Sequence, residues 1–363
     1  MKYIDEFRNA SQVRALSARI SEAAEGLEMP VRFMEVCGGH TMAIHRFGIP
    51  ELLPERVRLI SGPGCPVCVT PTTYVDRALE LADEGALLTS FGDLYPVTGS
   101  KQSLQDASGT GADVEIVYSA MDALQIAAER TERQVVFLAV GFETTAPTVA
   151  ATVVQARERD IRNFRILSGH KTMPEALRTL VETPEVAIDG FILPGHVSAI
   201  IGSEPYSFLA EEFGLACCVT GFEPADILQS ILVLVEQITE DHPTVANEYG
   251  RAVKPHGNPK ALAMLRRVFR PVDARWRGIG RIQDSGLDLV PELSAFHCAP
   301  PNPSVPSAAF DECRCGEVLR GLISPPECPL FGTACTPGSA VGPCMVSSEG
   351  ACAAHHKYGT EQF

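Results

Sequence analysis

VRFMEVCGGH (31–40) sets the pattern for the fold: a short β-rich run that ends in a glycine turn and leads into a helical stretch. The same unit recurs along the chain, as VRLIS-GPGCPVC (57–68), ALLTS-FGD (86–93), VVFLAV-GFETT (135–145), FRIL-SGH (164–170), GFIL-PGH (190–196) and ACCV-TGFEP (216–224). Seven strand–turn–helix units predict α/β architecture built on parallel sheets. In such sheets ligands collect beyond the carboxyl ends of the strands, which is where every one of these motifs begins. Two GFE turns (141–143 and 221–223) flank two GH turns (169–170 and 195–196). That echo is a worn duplication or the shared need of tight βα turns for glycine, the second reading being preferred.

Working outward, residues 3–26 carry apolar positions at helical spacing and predict one amphipathic N-terminal helix. The expected organisation is that helix within 1–30, one α/β lobe over 31–130, a second over 131–255, and a linker plus Cys-rich C-terminal domain over 256–363. The expected fold class is α/β: two parallel-sheet lobes with an iron–sulfur region at the C-terminus.

The net charge of −15 argues against a nucleic-acid partner. Residues 251–281 run the other way, with nine Lys and Arg against only Asp273, and read as an ion-pairing face in preference to a docking surface for an acidic partner. The charged N-terminus has no apolar signal core, and no apolar run approaches a membrane span, so a reducing, cytoplasmic setting is expected. There, clustered cysteines more often bind metal or do redox chemistry than form permanent bridges.

Twelve cysteines fall in groups. Six lie in the terminal region, Cys313, Cys315, Cys328, Cys335, Cys344 and Cys352. Its Gly- and Pro-rich loops suit an iron–sulfur cluster, with four thiolates converging and backbone N–H groups stabilising sulfide charge. Cys313, Cys328, Cys335 and Cys352 are the chosen ligands and Cys315 with Cys344 a redox pair or alternative ligands, although spacing does not force that choice. Paired C-x2-C zinc knuckles are absent there, and a single zinc is the competing reading. Cys217 and Cys218, inside an apolar run, read equally well as core.

The early group differs. Cys65 and Cys68 form a C-x2-C ahead of a helix, a weak signal that by itself reads as a thioredoxin-like pair. Cys37 sits in the equivalent turn of the preceding strand, and His40 could supply an imidazole or a proton relay. Together Cys37, Cys65, Cys68 and His40 make a plausible open metal site at one sheet edge. Glu143 and Glu223 read as helix caps, with Glu143 a secondary candidate for proton transfer. Gly169-His170-Lys171-Thr172 is a near miss to a phosphate loop, lacking the upstream glycine, and no G-x-G-x-x-G turn follows a strand.

With these motifs in view, the chain resembles the HypD-type hydrogenase maturation proteins. The likeness runs from FMEVCGGHT (33–41) through SGPGCPVCVTP (61–71), GFETTAPT (141–148), LPGH (193–196), TGFEP (220–224), EYGRAVKPHGN (248–258), WRGIG (276–280), CRCGEVLRG (313–321) and CPLFGTACTP (328–337) to GPCMVSSEGAC (342–352). The resemblance implies a scaffold with redox-active cysteines rather than a free-standing turnover enzyme. It implies iron held with a HypC-type chaperone while an Fe(CN)2CO unit is assembled, HypE as cyanide donor after loading by HypF, and transfer toward the large subunit of [NiFe] hydrogenase. Carried over residue by residue, the essential positions are Cys37, Cys65, Cys68, His40 and Glu349, with a [4Fe-4S] cluster on the terminal cysteines. The chain departs from the family in having Met42 where a second histidine is common, and FGDLYPVTGS (91–100) in place of the usual loop. The rival expectation is a cluster-linked thiol–disulfide oxidoreductase.

Overall fold

The computed structural model describes residues 5–302 and 312–359. Twelve strands follow in chain order: β1 (Val31–Glu35), β2 (Val57–Ser61), β3 (Leu87–Ser90), β4 (Val114–Ile116), β5 (Val135–Ala139), β6 (Phe164–Ser168), β7 (Gly190–Leu193), β8 (Ala216–Val219), β9 (Val245–Asn247), β10 (Phe269–Trp276), β11 (Gly280–Leu289) and β12 (His297–Cys298). Two five-stranded parallel sheets form, in the orders β2-β1-β7-β8-β9 and β12-β6-β5-β3-β4, with β10 and β11 a separate antiparallel hairpin. The α/β class and parallel sheets match the sequence expectation.

Side-chain alternation distributes these strands among three cores. In β1, Met34 enters the core shared by the two sheets while Phe33 faces an outer core with the N-terminal helix. In β5, Leu138 joins the shared core and Phe137 the outer core on the far side. Strands buried on both faces read as nearly unbroken apolar runs, which is why they are easy to recognise in the sequence.

The boundaries differ from expectation. The first sheet takes β1 and β2 from the early chain and β7 to β9 from 190–247, whereas the second takes β3 to β6 from 87–168. Lobes over 31–130 and 131–255 are therefore not what the chain builds. Strand-level patterns locate elements but carry no record of which sheet each joins. The GFE/GH echo splits likewise, one pair of turns to each sheet.

Residues 256–298 are also more than a linker. They form the helix Pro259–Val268, the hairpin, and β12, which pairs with β6 at the edge of the second sheet. Most of the Pro-rich stretch that follows (298–310) lies outside the described residues. At the N-terminus a 3-10 turn, Asp5–Arg8, precedes a helix over Ala10–Ala24 in place of one continuous helix. Asn9 causes the break: its side chain accepts from the Ser11 N–H at 2.9 Å and caps the helix. Leu16, Ile20 and Ala24 of that helix are buried, in the outer core that also holds Ile227, Ile231 and Leu234 of the helix Pro224–Thr239.

Candidate functional site

Pairing of β1 with β2 in register, Val31 opposite Val57 and Glu35 opposite Ser61, delivers the two cysteine turns side by side. The Gly38 N–H donates to the Gly64 carbonyl at 2.9 Å, and a Cβ on Gly64 would lie 2.2 Å from the Cys37 nitrogen. Only glycine allows that approach. Cys37 caps the helix Gly38–Arg46 and is buried, and burial, with the Glu349 carboxylate second, pushes its thiol up to about 12.

Cys65 and Cys68 are joined as a disulfide, with Cα atoms 5.2 Å apart. The Cys68 N–H lies 3.1 Å from the Cys65 sulfur, and the helix that follows begins only at Thr72. Both sulfurs belong to buried residues, 3% and 0% exposed.

His40 is fully buried but turned toward the other strands: its Nε2 lies 3.0 Å from the Gly221 carbonyl oxygen, and its ring stacks on Phe222 at 4.5 Å. His196, from the turn after β7, stacks on the same ring at 4.0 Å. Burial holds His40 down to about 4, so its imidazole is neutral.

Glu349 meets this group from the far end of the chain. A Cβ on Gly38 would come within 2.4 Å of the Glu349 Cβ, so the turn before Gly350 rests directly on the CGGH backbone. Burial first, then the nearby Asp93 charge, raises the Glu349 carboxyl. Asp93 belongs to the FGD turn after β3, so this corner combines turns from both sheets.

The terminal cysteines converge. The Cys313 sulfur lies 3.3 Å from that of Cys315 and, with it, against Gly342. Cys315, Cys344 and Cys352 hydrogen-bond to one another, and donation from Cys315, then Cys344, draws Cys352 down to about 5. The Cys335 sulfur accepts the Val341 N–H at 3.3 Å, and its charge also acts on Cys352. Cys328 is buried nearby, with its charge acting on Arg314. Soft thiols at this density fit an iron–sulfur cluster as a donor set. The contacts draw Cys313, Cys315, Cys344 and Cys352 together and do not divide four ligands from a redox pair.

The two cysteine groups are neighbours. The Cys68 sulfur lies 3.8 Å from the Pro343 carbonyl oxygen, one residue before Cys344. Arg277, at the hairpin turn, joins them: its backbone N–H donates to the Val69 carbonyl and its Nε to the Thr70 carbonyl, both at 2.8 Å. Cys315, Cys344 and Cys313 act on its charge. The sequence reading had left Arg277 within the basic stretch; the WRGIG motif was the available signal.

Two buried carboxyls complete the surroundings. Glu35, which ends β1, accepts from the Thr41 hydroxyl at 2.6 Å and the Cys37 N–H at 3.2 Å, and burial raises it to about 8. Nothing in VRFME singled it out. Glu143 accepts the Met173 N–H at 2.9 Å, so it caps the helix after β6, not the helix that follows its own turn. Its second oxygen has no partner, and burial raises the carboxyl to about 7. Glu223 stands at the N-cap of its own helix and pairs with Arg8. Cys217 and Cys218 are fully buried in β8 with thiols pushed up by burial, which is core packing. Of the basic stretch, Arg251 pairs with buried Asp226, Arg270 with Asp288 and Arg281 with Asp273, as an ion-pairing face would.

The family model HypD, described as "Hydrogenase formation hypA family", matches residues 11–359. The chain is 45% identical to "Hydrogenase maturation factor HypD" of Escherichia coli (strain K12), an alignment covering 100% of this chain and 99% of that protein. It is 45% identical to the protein of the same name from Cupriavidus necator, covering 99% and 97%. It is 43% identical to "Hydrogenase expression/formation protein HupD" of Azotobacter chroococcum, covering 100% and 98%. With the motifs in order, two parallel sheets presenting them at one end, and likeness over full length, the chain belongs to the HypD family of hydrogenase maturation factors.

Proposed function

We propose that this chain is the scaffold on which iron receives its cyanide and carbon monoxide ligands, working with a HypC-type chaperone, before the Fe(CN)2CO unit moves toward the large subunit of [NiFe] hydrogenase. The carrying observation is the adjacency of the Cys65–Cys68 disulfide to the terminal cysteines across Pro343. Iron as cargo would be held by thiolates of Cys37 and of the opened Cys65–Cys68 pair, soft ligands that keep low-spin Fe(II) electron-rich. The terminal cysteines would hold a [4Fe-4S] cluster, which supplies electrons singly when bound.

The chain's own residues do the rest. Opening the disulfide breaks its S–S bond with two electrons and two protons and gives two thiols. Release of cyanide from a thiocyanate carried by a HypE-type donor, itself loaded by HypF, breaks an S–C bond. It consumes two electrons and one proton, and leaves a thiol and cyanide. Closing the Cys65–Cys68 pair supplies both electrons and two protons, so one proton remains over, and the pair must be reopened by the same two-electron, two-proton reduction before it can hold iron. Glu35, raised to about 8, already carries its proton near neutral pH and holds the Cys37 N–H, so the remaining proton passes to solvent. Arg277 holds the dithiol turn against the cluster-side thiols, and Glu349 covers Cys37.

Infrared spectroscopy of the anaerobically purified chain, co-expressed with its HypC-type partner, tests this reading. Cyanide and carbonyl stretching bands are expected. Cys65→Ala should abolish them while leaving the visible absorbance of the terminal cluster. Active reduction of protein disulfides without such bands would favour the thiol–disulfide oxidoreductase instead. Burial of both sulfurs weighs against that alternative, because a protein disulfide could reach neither without local opening.

A further inference from the structure

One buried cation stands outside the cysteine centre with no carboxylate paired to it among the described residues. Lys171 is 4% exposed, with its ammonium 3.5 Å from the Gly169 carbonyl oxygen and 5.8 Å from the centre of the Trp276 ring. The charge that acts on it is a second cation, Arg277, and burial brings its amine down to about 8. Burying an ammonium without a counter-ion is strongly unfavourable unless something else supplies the negative charge. Its neighbour His170 is 2% exposed, and neither ring nitrogen has a hydrogen-bond partner among the described residues. One of those nitrogens carries an N–H in the neutral ring, and a buried donor left without an acceptor is destabilising.

Both residues line one recess at the carboxyl end of β6, walled on its other side by the hairpin. Its free volume is about 70 Å³. At about 10–15 Å³ per water-sized occupant, that is room for roughly five heavy atoms and too little for a nucleotide. Two acids also border the recess, Asp273 and Asp288, but each is engaged elsewhere: Asp273 with Arg281, Asp288 with Arg270 and, at 3.0 Å, with His297.

These residues are the near miss to a phosphate loop, and the structure explains why a polyphosphate does not belong here. The helix after the motif begins at Met173, and its first amide is already taken by the Glu143 carboxyl. A carboxyl already hydrogen-bonded at that terminus leaves its first amide unavailable to phosphate, while the Lys171 ammonium and the His170 ring remain beside the recess without an anionic partner among the described residues.

We propose that this recess binds a small oxyanion of three to five heavy atoms, of carboxylate or bicarbonate size, through the Lys171 ammonium and the His170 ring N–H. Occupancy would satisfy both groups at once. It would also place a negative charge near Arg277, which braces the dithiol turn.

Formate and inorganic phosphate serve as probes, titrated by calorimetry into the anaerobically purified full chain at constant ionic strength set with chloride. Saturable one-to-one binding is expected, with formate and phosphate competing. Lys171→Met should weaken it by roughly tenfold or more, about 1.4 kcal/mol per factor of ten. Lys171→Arg should keep most of the affinity, and His170→Phe should lose part of it. Circular dichroism identifies a variant that has not folded, and the competition experiment on the unaltered chain needs no variant at all. Non-saturating heats for both anions, binding without competition, or equal affinity in the Lys171→Met variant would each overturn the proposal. Because none of these readouts uses the iron chemistry, failure here leaves the scaffold reading standing, and the reverse.

Discussion

Glu143 keeps a proton that the unfolded chain would have released, since burial raises its carboxyl from 4.5 to about 7. The stabilising contribution of that neutral group is complete below about pH 4.5 and is lost as pH rises through 7. Glu143→Gln keeps an acceptor for the Met173 N–H and removes the titration. Relative to the unaltered chain, the variant should gain stability between pH 5 and 8, by at most about 3 kcal/mol. Urea midpoints across that range, compared pairwise, measure it; parallel profiles would refute it. At this scale the sequence was uneven. Cysteines announce themselves by type and number, and Gly64 and Gly38 by the motifs around them. Glu35 and Arg277 did not, because a strand carboxyl and one arginine among nine basic residues look ordinary until burial is known.

Turns and the hairpin are the elements that fix the centre. Gly64→Ala would drive a Cβ into the Cys37 backbone, and overpacking of that kind costs about 1–3 kcal/mol or more. The expected result is a lower melting temperature and, in the infrared assay, loss of the iron-bound ligand bands without loss of cluster absorbance. The hairpin acts through Arg277, whose charge faces Cys313, Cys315 and Cys344. A nearby cation favours thiolate over thiol. In cluster-free protein, Arg277→Gln should therefore shift alkylation of the terminal cysteines to higher pH, read by mass spectrometry; an unchanged profile would show that the charge is not felt there. Element type was legible because apolar runs ending in glycine turns leave little choice. The partnership of the hairpin with the cysteines was not, because Gly278 and Gly316 touch across a long stretch of chain and neither motif carries a trace of the other.

Across the molecule, the chain leaves the first sheet after β2, builds four strands of the second, and returns at β7. No contiguous segment over 131–255 contains a whole sheet. Expressed alone, that segment should lack cooperative unfolding and fixed near-ultraviolet dichroism, whereas two self-contained lobes would retain both. The parallel architecture followed from local pattern, but the interleaving of sheets is set by packing between distant segments. Among the described residues no helix is long and apolar enough to cross a membrane.

The resting of Glu349 on Gly38 couples two segments that lie far apart in the sequence. Synthesis proceeds from the N-terminus, so Cys37 emerges from the ribosome long before the segment that covers it. A message read only part way would yield a product whose oldest thiol stays open to solvent and whose terminal sulfurs are missing. Only a chain made through Glu349 can therefore close over that thiol.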